Sequence, residues 1–350
     1  MLEAVVLLAL GRSHRTTTDA ELIRWGADFA RVEGIVETQP ASGDAGPSSG
    51  RQEAARSRTD LDLTIQTGGG RKRIQVNGVP RRAQSLAEHL RVVLFAPEEM
   101  LLIVGSPSLR RAALDGLTAP HDRTYAADLA TYGRALQQRN SLLRSIREGE
   151  AGRDQLRYWD EPFLDAGAAV VSARLRVLEL FAGPLAAAHA EIAPDEDGLA
   201  LGYLTNAAAK PGESPRAALA RRLTETADKE VWNGSTLVGP HRDDLVFSLA
   251  GRDLSTFASR GQQRTAILAF KLAELDLLTS LDGRAPILLL DDVFSELDPQ
   301  RRGHLVRRIG ALPQAFVTTT TPEDIDPELR RQARSWRVVA GPDGAAIEEA

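Results

Sequence analysis

Residues Ser259 to Asp298 read SRGQQRTAILAFKLAELDLLTSLDGRAPILLLDDVFSELD, and this stretch decides the fold. Its apolar run Ile287-Leu288-Leu289-Leu290 ends abruptly in Asp291-Asp292. A run apolar at every position suits a parallel strand buried on both faces, which delivers the two acids to the carboxyl edge of its sheet. Open α/β folds bind their ligands at that edge, so the expected class is α/β. Upstream, TAILAFKLAELDLL has the period of a helix. Ser259, followed three residues later by Gln262, has the capping-box spacing of a helix start. Gly261 has no side chain, which leaves the first-turn amides and the positive helix end open to an anion.

These positions suggest a chemistry. Asp291 is placed to hold Mg²⁺ through water, and Asp292 to orient or deprotonate an attacking water. Ser295-Glu296-Leu297-Asp298-Pro299 then opens a further helix, QRRGHLVRRI, whose arginines 301, 302, 307 and 308 read as a solvated face, and AFVTTTT supplies a neighbouring strand. A serine cap alone is only a cap, and an apolar run ending in two acids is weak alone. Their succession is specific.

The chain has 350 residues, room for one large α/β domain or two smaller ones, and 43% hydrophobic content to fill a core. A formal net charge of −5 gives no global pull toward nucleic acid, so DNA contact would need a local basic patch. Lysine occurs only at Lys72, Lys210, Lys229 and Lys271, an arginine bias that GC-rich coding explains without function. The absence of cysteine excludes disulfides and cysteine nucleophiles and suits a cytoplasmic protein. MLEAVVLLAL is too short to span a bilayer, which takes ~20 residues. It also carries Glu3, so it reads as a buried helix ended by Gly11, with no membrane partner expected.

Asp28 to Thr38 reads as a strand carrying Phe29, Val32 and Ile35, and residues 40–57, rich in Gly, Ser, Pro and Ala, as a surface loop. LDLTIQ and RKRIQV flank Gly68-Gly69-Gly70, and Asn77-Gly78 follows, a hairpin pattern; the triplet lacks the Lys-Ser/Thr and helix of a phosphate loop. RVVLF is a buried strand, and SLRRAALDGL a short helix with Arg110 and Arg111 exposed. Tyr125, Leu129, Tyr132, Leu136, Leu143 and Ile146 form one apolar seam, broken near Asn140. A second seam runs from Leu156 through Trp159, Phe163, Ala166, Val170, Ala173 and Val177 to Leu180. Both suit an antiparallel helical hairpin, either a coiled-coil arm or an ordinary helical subdomain. Leu199 to Leu204 is a strand, and PRAALARRLTETADKEVW a helix with Arg216, Arg221, Arg222 and Lys229 on its polar side. Gly239-Pro240-His241-Arg242-Asp243-Asp244 reads as a turn locked by side-chain hydrogen bonds rather than a metal site, since no distant third ligand is evident. Candidate DNA contacts are Arg71, Lys72 and Arg73 on the hairpin, Arg110 and Arg111, and Arg221. Arg12 or Arg15 could reach a nucleotide phosphate from the end of the first helix.

SRGQQR, LLLDD and SELD resemble the signature, Walker B and D-loop motifs of SMC-like ABC ATPases. LEAVVLLALGRSHR, VVLFAPEEMLLIVGSPSLRR, YGRALQQRNSLLR and TLVGPHRDD narrow the resemblance to the RecF family, over nearly the whole chain except 40–57. The resemblance implies an ABC-type P-loop ATPase head, in segments 1–120 and 196–350, with a helical, coiled-coil-like lobe inserted at 121–195. It implies ATP and Mg²⁺ as cofactors, a slow ATPase, and DNA binding at gapped single-strand/duplex junctions. Partners would be RecO and RecR, which load RecA in repair and the SOS response. It further implies an ATP-dependent homodimer. Ser259, Gly261 and Gln262 of one head would meet the γ-phosphate held by the other, with Ser295 and Asp298 at the interface. Asp292 stands where many ABC ATPases carry Glu. Three other readings compete. A non-catalytic DNA-binding scaffold would bind DNA without ATP; a transporter's nucleotide-binding subunit would not carry the helical hairpin, GQQR or the GPHRDD turn. An OLD-type nuclease would need a second acidic cluster after the ATPase motifs.

One departure stands out: no G-x-x-x-x-G-K-[ST] occurs in the 350 residues. The resemblance places that loop directly before Met1-Leu2-Glu3-Ala4, so either the gene start is assigned too late or the loop is lost. The first is preferred, because Leu2 to Leu10 makes sense as a buried helix only within a fuller sheet; the genomic sequence upstream of Met1 decides it. These 350 residues alone are expected to bind ATP weakly or not at all and to fold poorly in the first lobe. Tight, Mg²⁺-dependent ATP binding by them would overturn that expectation.

Overall fold

The computed structural model describes residues 1–38, 57–68, 72–196, 198–341 and 344–349. The loop expected at 40–57 lies outside them, except Ser57, which opens a strand; Gly69, Gly70 and Arg71 lie outside them too. The chain divides into two compact units, residues 1–97 with 278–350, and residues 98–277.

In the first unit, helix α1 (Leu2–Leu10) stops at Gly11, whose φ of 66° lets its N–H return to the Leu7 carbonyl. Strands β1 (Phe29–Thr38), β2 (Ser57–Gln66), β3 (Arg73–Val76) and β4 (Val79–Pro80) form an antiparallel sheet in that order. Asn77 (φ 51°) and Gly78 (φ 75°) make the two-residue turn between β3 and β4, as the Asn-Gly pair predicts. Leu7 and Leu8 of α1 pack with Leu61, Leu63, Ile65 and Ile74 of the sheet. The core side of β1 carries Ala30, Val32 and Val36, whereas Phe29 and Ile35 are each 56% exposed, so only part of the expected apolar side of β1 points inward. A second, parallel sheet has the order β10-β9-β5, built from β5 (Val92–Phe95), β9 (Ile287–Asp291) and β10 (Ala315–Thr318). Central β9 buries Leu288, Leu289 and Leu290 almost completely, as its unbroken apolar run requires. Helices α9 (Pro299–Gly310) and α10 (Pro327–Gln332) and the hairpin of β11 (Trp336–Gly341) and β12 (Gly344–Glu349) complete this unit.

The second unit contains α2 (Leu101–Val104), α3 (Pro107–Thr118), α4 (Tyr125–Arg147), α5 (Arg157–Ile192), α6 (Pro215–Asn233), α7 (Leu254–Phe257) and most of α8 (Arg260–Ser280). Its sheet is β6 (Leu199–Leu204), β7 (Asp244–Leu249) and β8 (Arg252–Asp253). Helices α4 and α5 pair as a hairpin, and α5 continues through Pro162 and Pro184. Tyr125, Tyr132, Leu143, Phe163, Ala166, Val170, Ala173 and Val177 are buried as the seams predict; Leu180, 56% exposed, is not. Tyr132, Phe163 and Leu164 share a core with Leu219 and Leu223 of α6. The hairpin is therefore one layer of a helical subdomain within this unit.

Candidate functional site

Strand β9 ends on Asp291, and the chain turns sharply at Asp292, which has a left-handed φ of 54°. A non-glycine residue there costs on the order of 1 kcal/mol and marks a backbone held by its neighbours. Parallel strand β10 does the holding. The Asp292 N–H lies 3.2 Å from both the carbonyl and the Oγ1 of Thr318. Thr318, in register with Asp291, donates its hydroxyl to Asp291 Oδ1 at 2.6 Å. The other oxygen, Oδ2, receives Arg15 at 2.9 Å, from a side chain 55% exposed. Arg15 is held just beyond α1, where Ser13 Oγ accepts its backbone N–H and donates to Glu3. Among the described residues, Asp292 Oδ1 is buried without a hydrogen-bond partner. Ser295 Oγ donates to the Asp292 carbonyl at 3.0 Å, tightening the turn. Asp298 caps α9 by accepting the Arg301 N–H and pairs with the Arg301 side chain, contacts that hold its carboxyl below the usual range.

The second unit carries the other motif residues. Ser259 Oγ accepts the Gln262 N–H at 3.2 Å, and Gln262 Oε1 accepts the Ser259 N–H at 3.0 Å, the reciprocal capping box expected from the spacing. Ser259 and Gly261 are exposed, and a Cβ at Gly261 would meet only the Ser259 Oγ among the described residues, at 3.9 Å.

The basic residues read as DNA contacts fare differently. Arg110 pairs with both Asp244 oxygens, at 2.7 and 2.8 Å, and reaches the Gly105 carbonyl. Arg111 donates to the Asp243 carbonyl, and both arginines are half-buried rather than exposed. Arg221 engages Glu213 and the Ala208 carbonyl; Lys72 engages Asp19 and the Gly11 carbonyl. These four cations anchor the fold. Arg73 remains exposed on β3, and Arg71 lies outside the described residues.

The GPHRDD turn is locked as its composition suggests. His241 Nδ1 meets the Tyr132 hydroxyl at 2.5 Å and Nε2 meets the Thr236 carbonyl at 3.3 Å. Nε2–H donates to that carbonyl and Nδ1 accepts from the phenol, which fits neutral imidazole. Burial lowers its pKa to about 4, with Arg242, Arg111 and Arg139 adding repulsion. Folding thus favours the neutral form, while the unfolded chain protonates below about 6.5, so stability should fall as pH drops from there toward the folded value. Between pH 7.5 and 5 the expected loss is about 2 kcal/mol. Chemical denaturation of the wild type and His241→Gln at both values isolates this contribution; equal pH dependence of the two proteins contradicts it. Among the described residues, no group of three or more His, Asp or Glu is placed to hold a metal ion, and no helix is long and apolar enough to cross a membrane.

A parallel sheet ending in an acid pair, the second acid with a left-handed backbone, together with a capped helix and a helical hairpin, fits an ABC-type ATPase head. A solved Smc head domain with a coiled coil and joint from Pyrococcus yayanosii has this fold, at a TM-score of 0.50 and 11% identity over 99% of this chain and 89% of that one. No family model matches the chain. The DNA replication and repair protein RecF of Bacillus subtilis (strain 168) is 37% identical over 355 residues, 97% of this chain and 89% of the relative. The solved structure of the recombination mediator protein RecF–ATPrS in the RecFOR pathway matches at a TM-score of 0.83 and 30% identity, covering 99% of this chain and 87% of that one. The chain belongs to the RecF family of DNA replication and repair proteins.

Proposed function

We propose that this protein binds DNA at gapped single-strand/duplex junctions under the control of ATP, supporting RecA loading with RecO and RecR, recombinational repair and SOS induction. The observation that carries the reading is the acid pair closing β9, with Asp291 fixed by Thr318 and the buried Asp292 Oδ1 lacking a partner. Those residues fit a Mg²⁺-nucleotide. Mg²⁺ is ordinarily bound by one or two carboxylates together with phosphate oxygens and water, and Asp292 Oδ1 has a vacant lone pair for a water's proton. Bound ATP supplies the cleavable phosphoanhydride and its Mg²⁺ the charge neutralisation; Asp291 orients the ion's shell and Asp292 holds the proton-accepting position. Ser259, Gly261 and Gln262 serve in trans, the open helix N-terminus of one copy facing the γ-phosphate held by a second, with Ser295 and Asp298 at that interface. Arg73 is the strongest of the candidate DNA contacts, being exposed on β3.

Light scattering tests the trans role. Protein expressed from its own chromosomal locus should double in mass with ATP and Mg²⁺. Ser259→Arg, which fills the open helix end, should remain monomeric with nucleotide bound. A wild type that is monomeric in ATP, or a Ser259→Arg variant that still dimerises, overturns it.

A further inference from the structure

We infer that Thr318 is a positioning residue for ATP hydrolysis, a role that rests on the nucleotide reading of the β9 acids. It lies in AFVTTTT, where four threonines in a row give no sign in sequence of which one matters. Pairing of β10 with β9 places Thr318 opposite Asp291, and the two ends of its hydroxyl are used differently. The proton goes to Asp291 Oδ1 at 2.6 Å, and the oxygen takes a share of the Asp292 N–H at 3.2 Å. One hydroxyl therefore sets the carboxylate plane of the first acid and pins the left-handed backbone of the second. Hydroxyl rotation cannot satisfy both contacts in any other orientation.

The consequence is a division between the two oxygens of Asp291. Oδ1 is held by a neutral donor on the same sheet. Among the described residues, Oδ2 is covered only by Arg15, whose side chain is more than half exposed and able to swing aside. Thr318 thus leaves Oδ2 as the oxygen that would serve a bound metal's hydration shell, with Oδ1 already engaged. It also keeps the unpartnered Asp292 Oδ1 at a fixed offset from that oxygen. Thr318 would act through the two aspartates, since its hydroxyl is already engaged with Asp291 Oδ1 and the Asp292 N–H. Thr319 cannot substitute, since its hydroxyl is turned to the Thr321 carbonyl.

Thr318→Val keeps shape and strand propensity but removes the hydroxyl; Thr318→Ser restores it. For protein expressed from its own locus, Val should lower kcat for ATP about 10- to 100-fold, the usual effect of losing a partner that orients a metal-site ligand. KM and the affinity for a non-hydrolysed ATP analogue should change less than about threefold, because phosphate binding is made elsewhere. Half-saturating Mg²⁺ for analogue binding should rise, and Ser should recover most of kcat. Melting temperatures of all three proteins should agree within a few degrees. A wild type with no Mg²⁺-dependent hydrolysis overturns the nucleotide reading and the proposal with it. An active wild type matched by Thr318→Val overturns the proposal alone, as does a Val variant whose losses follow its melting temperature and are not rescued by Ser.

Discussion

Replacing Asp292 by Asn is expected to lower ATP turnover by about 10²- to 10⁴-fold, the usual range for loss of a general base, while nucleotide binding is retained. The substitution is unusually clean here. Asp292 occupies a left-handed backbone conformation, which Asn tolerates as well as Asp does, so the turn into Val293 and Phe294 should survive. The buried Oδ1 loses its capacity to take a proton, but the Thr318 contacts to the backbone N–H are untouched. Single-turnover hydrolysis and analogue binding, measured side by side, separate the two effects. Hydrolysis within a few fold of the wild type would show that Asp292 is only a turn residue. Equal loss of hydrolysis and binding would mean the site itself had collapsed.

The second large effect is expected far from the nucleotide residues, at Arg139. Its guanidinium is 2% exposed and lies 2.7 Å from Glu230, which is fully buried; it also donates to Asp160 Oδ1 and Thr236 Oγ1. Glu230 in turn accepts the Leu237 N–H, so the network ties α4 and α6 to the segment leading into the GPHRDD turn. Burial already raises the Glu230 pKa against the pull of Arg139. Arg139→Met keeps the volume but strands that carboxylate, and breaking one side of such a buried pair costs about 3–5 kcal/mol. The melting temperature should fall by about 10 °C. Adding Glu230→Met should recover a large part of the loss, since the cost comes from the unpaired charge rather than from the missing pair. Unfolding free energies of the single and double variants check this. A single variant within about 1 kcal/mol of the wild type would mean the network is hydrated and unimportant.

What could be read directly from the sequence was local. The Asn77-Gly78 turn, the reciprocal cap of Ser259 and Gln262, and the buried β9 strand each arise from residues within a few positions of one another. The hairpin of α4 and α5 was legible because its seams repeat. Charges were the weak point, because an arginine's partner is set by the fold. Arg110 finds Asp244 across 134 positions, and Arg174 finds Asp115 across 59, so the first could look like a free cation in sequence. Thr318 escaped for the same reason: only strand pairing selects it among its neighbours. Arg12 or Arg15 could reach a phosphate by sequence position, but the structure sets Arg15 on Asp291 Oδ2, the acid assigned to the metal.

The residues of Ser259 to Asp298 are expected to couple nucleotide to DNA. Fluorescence anisotropy with a gapped duplex tests it most directly, using protein expressed from its own locus, at fixed salt, because phosphate contacts weaken steeply as salt rises. ATP with Mg²⁺ should tighten binding at least tenfold, and Ser259→Arg and Asp291→Asn should each abolish the gain. Binding to the gapped duplex that is equally tight with and without ATP would rule out that coupling and leave the protein a DNA-binding scaffold.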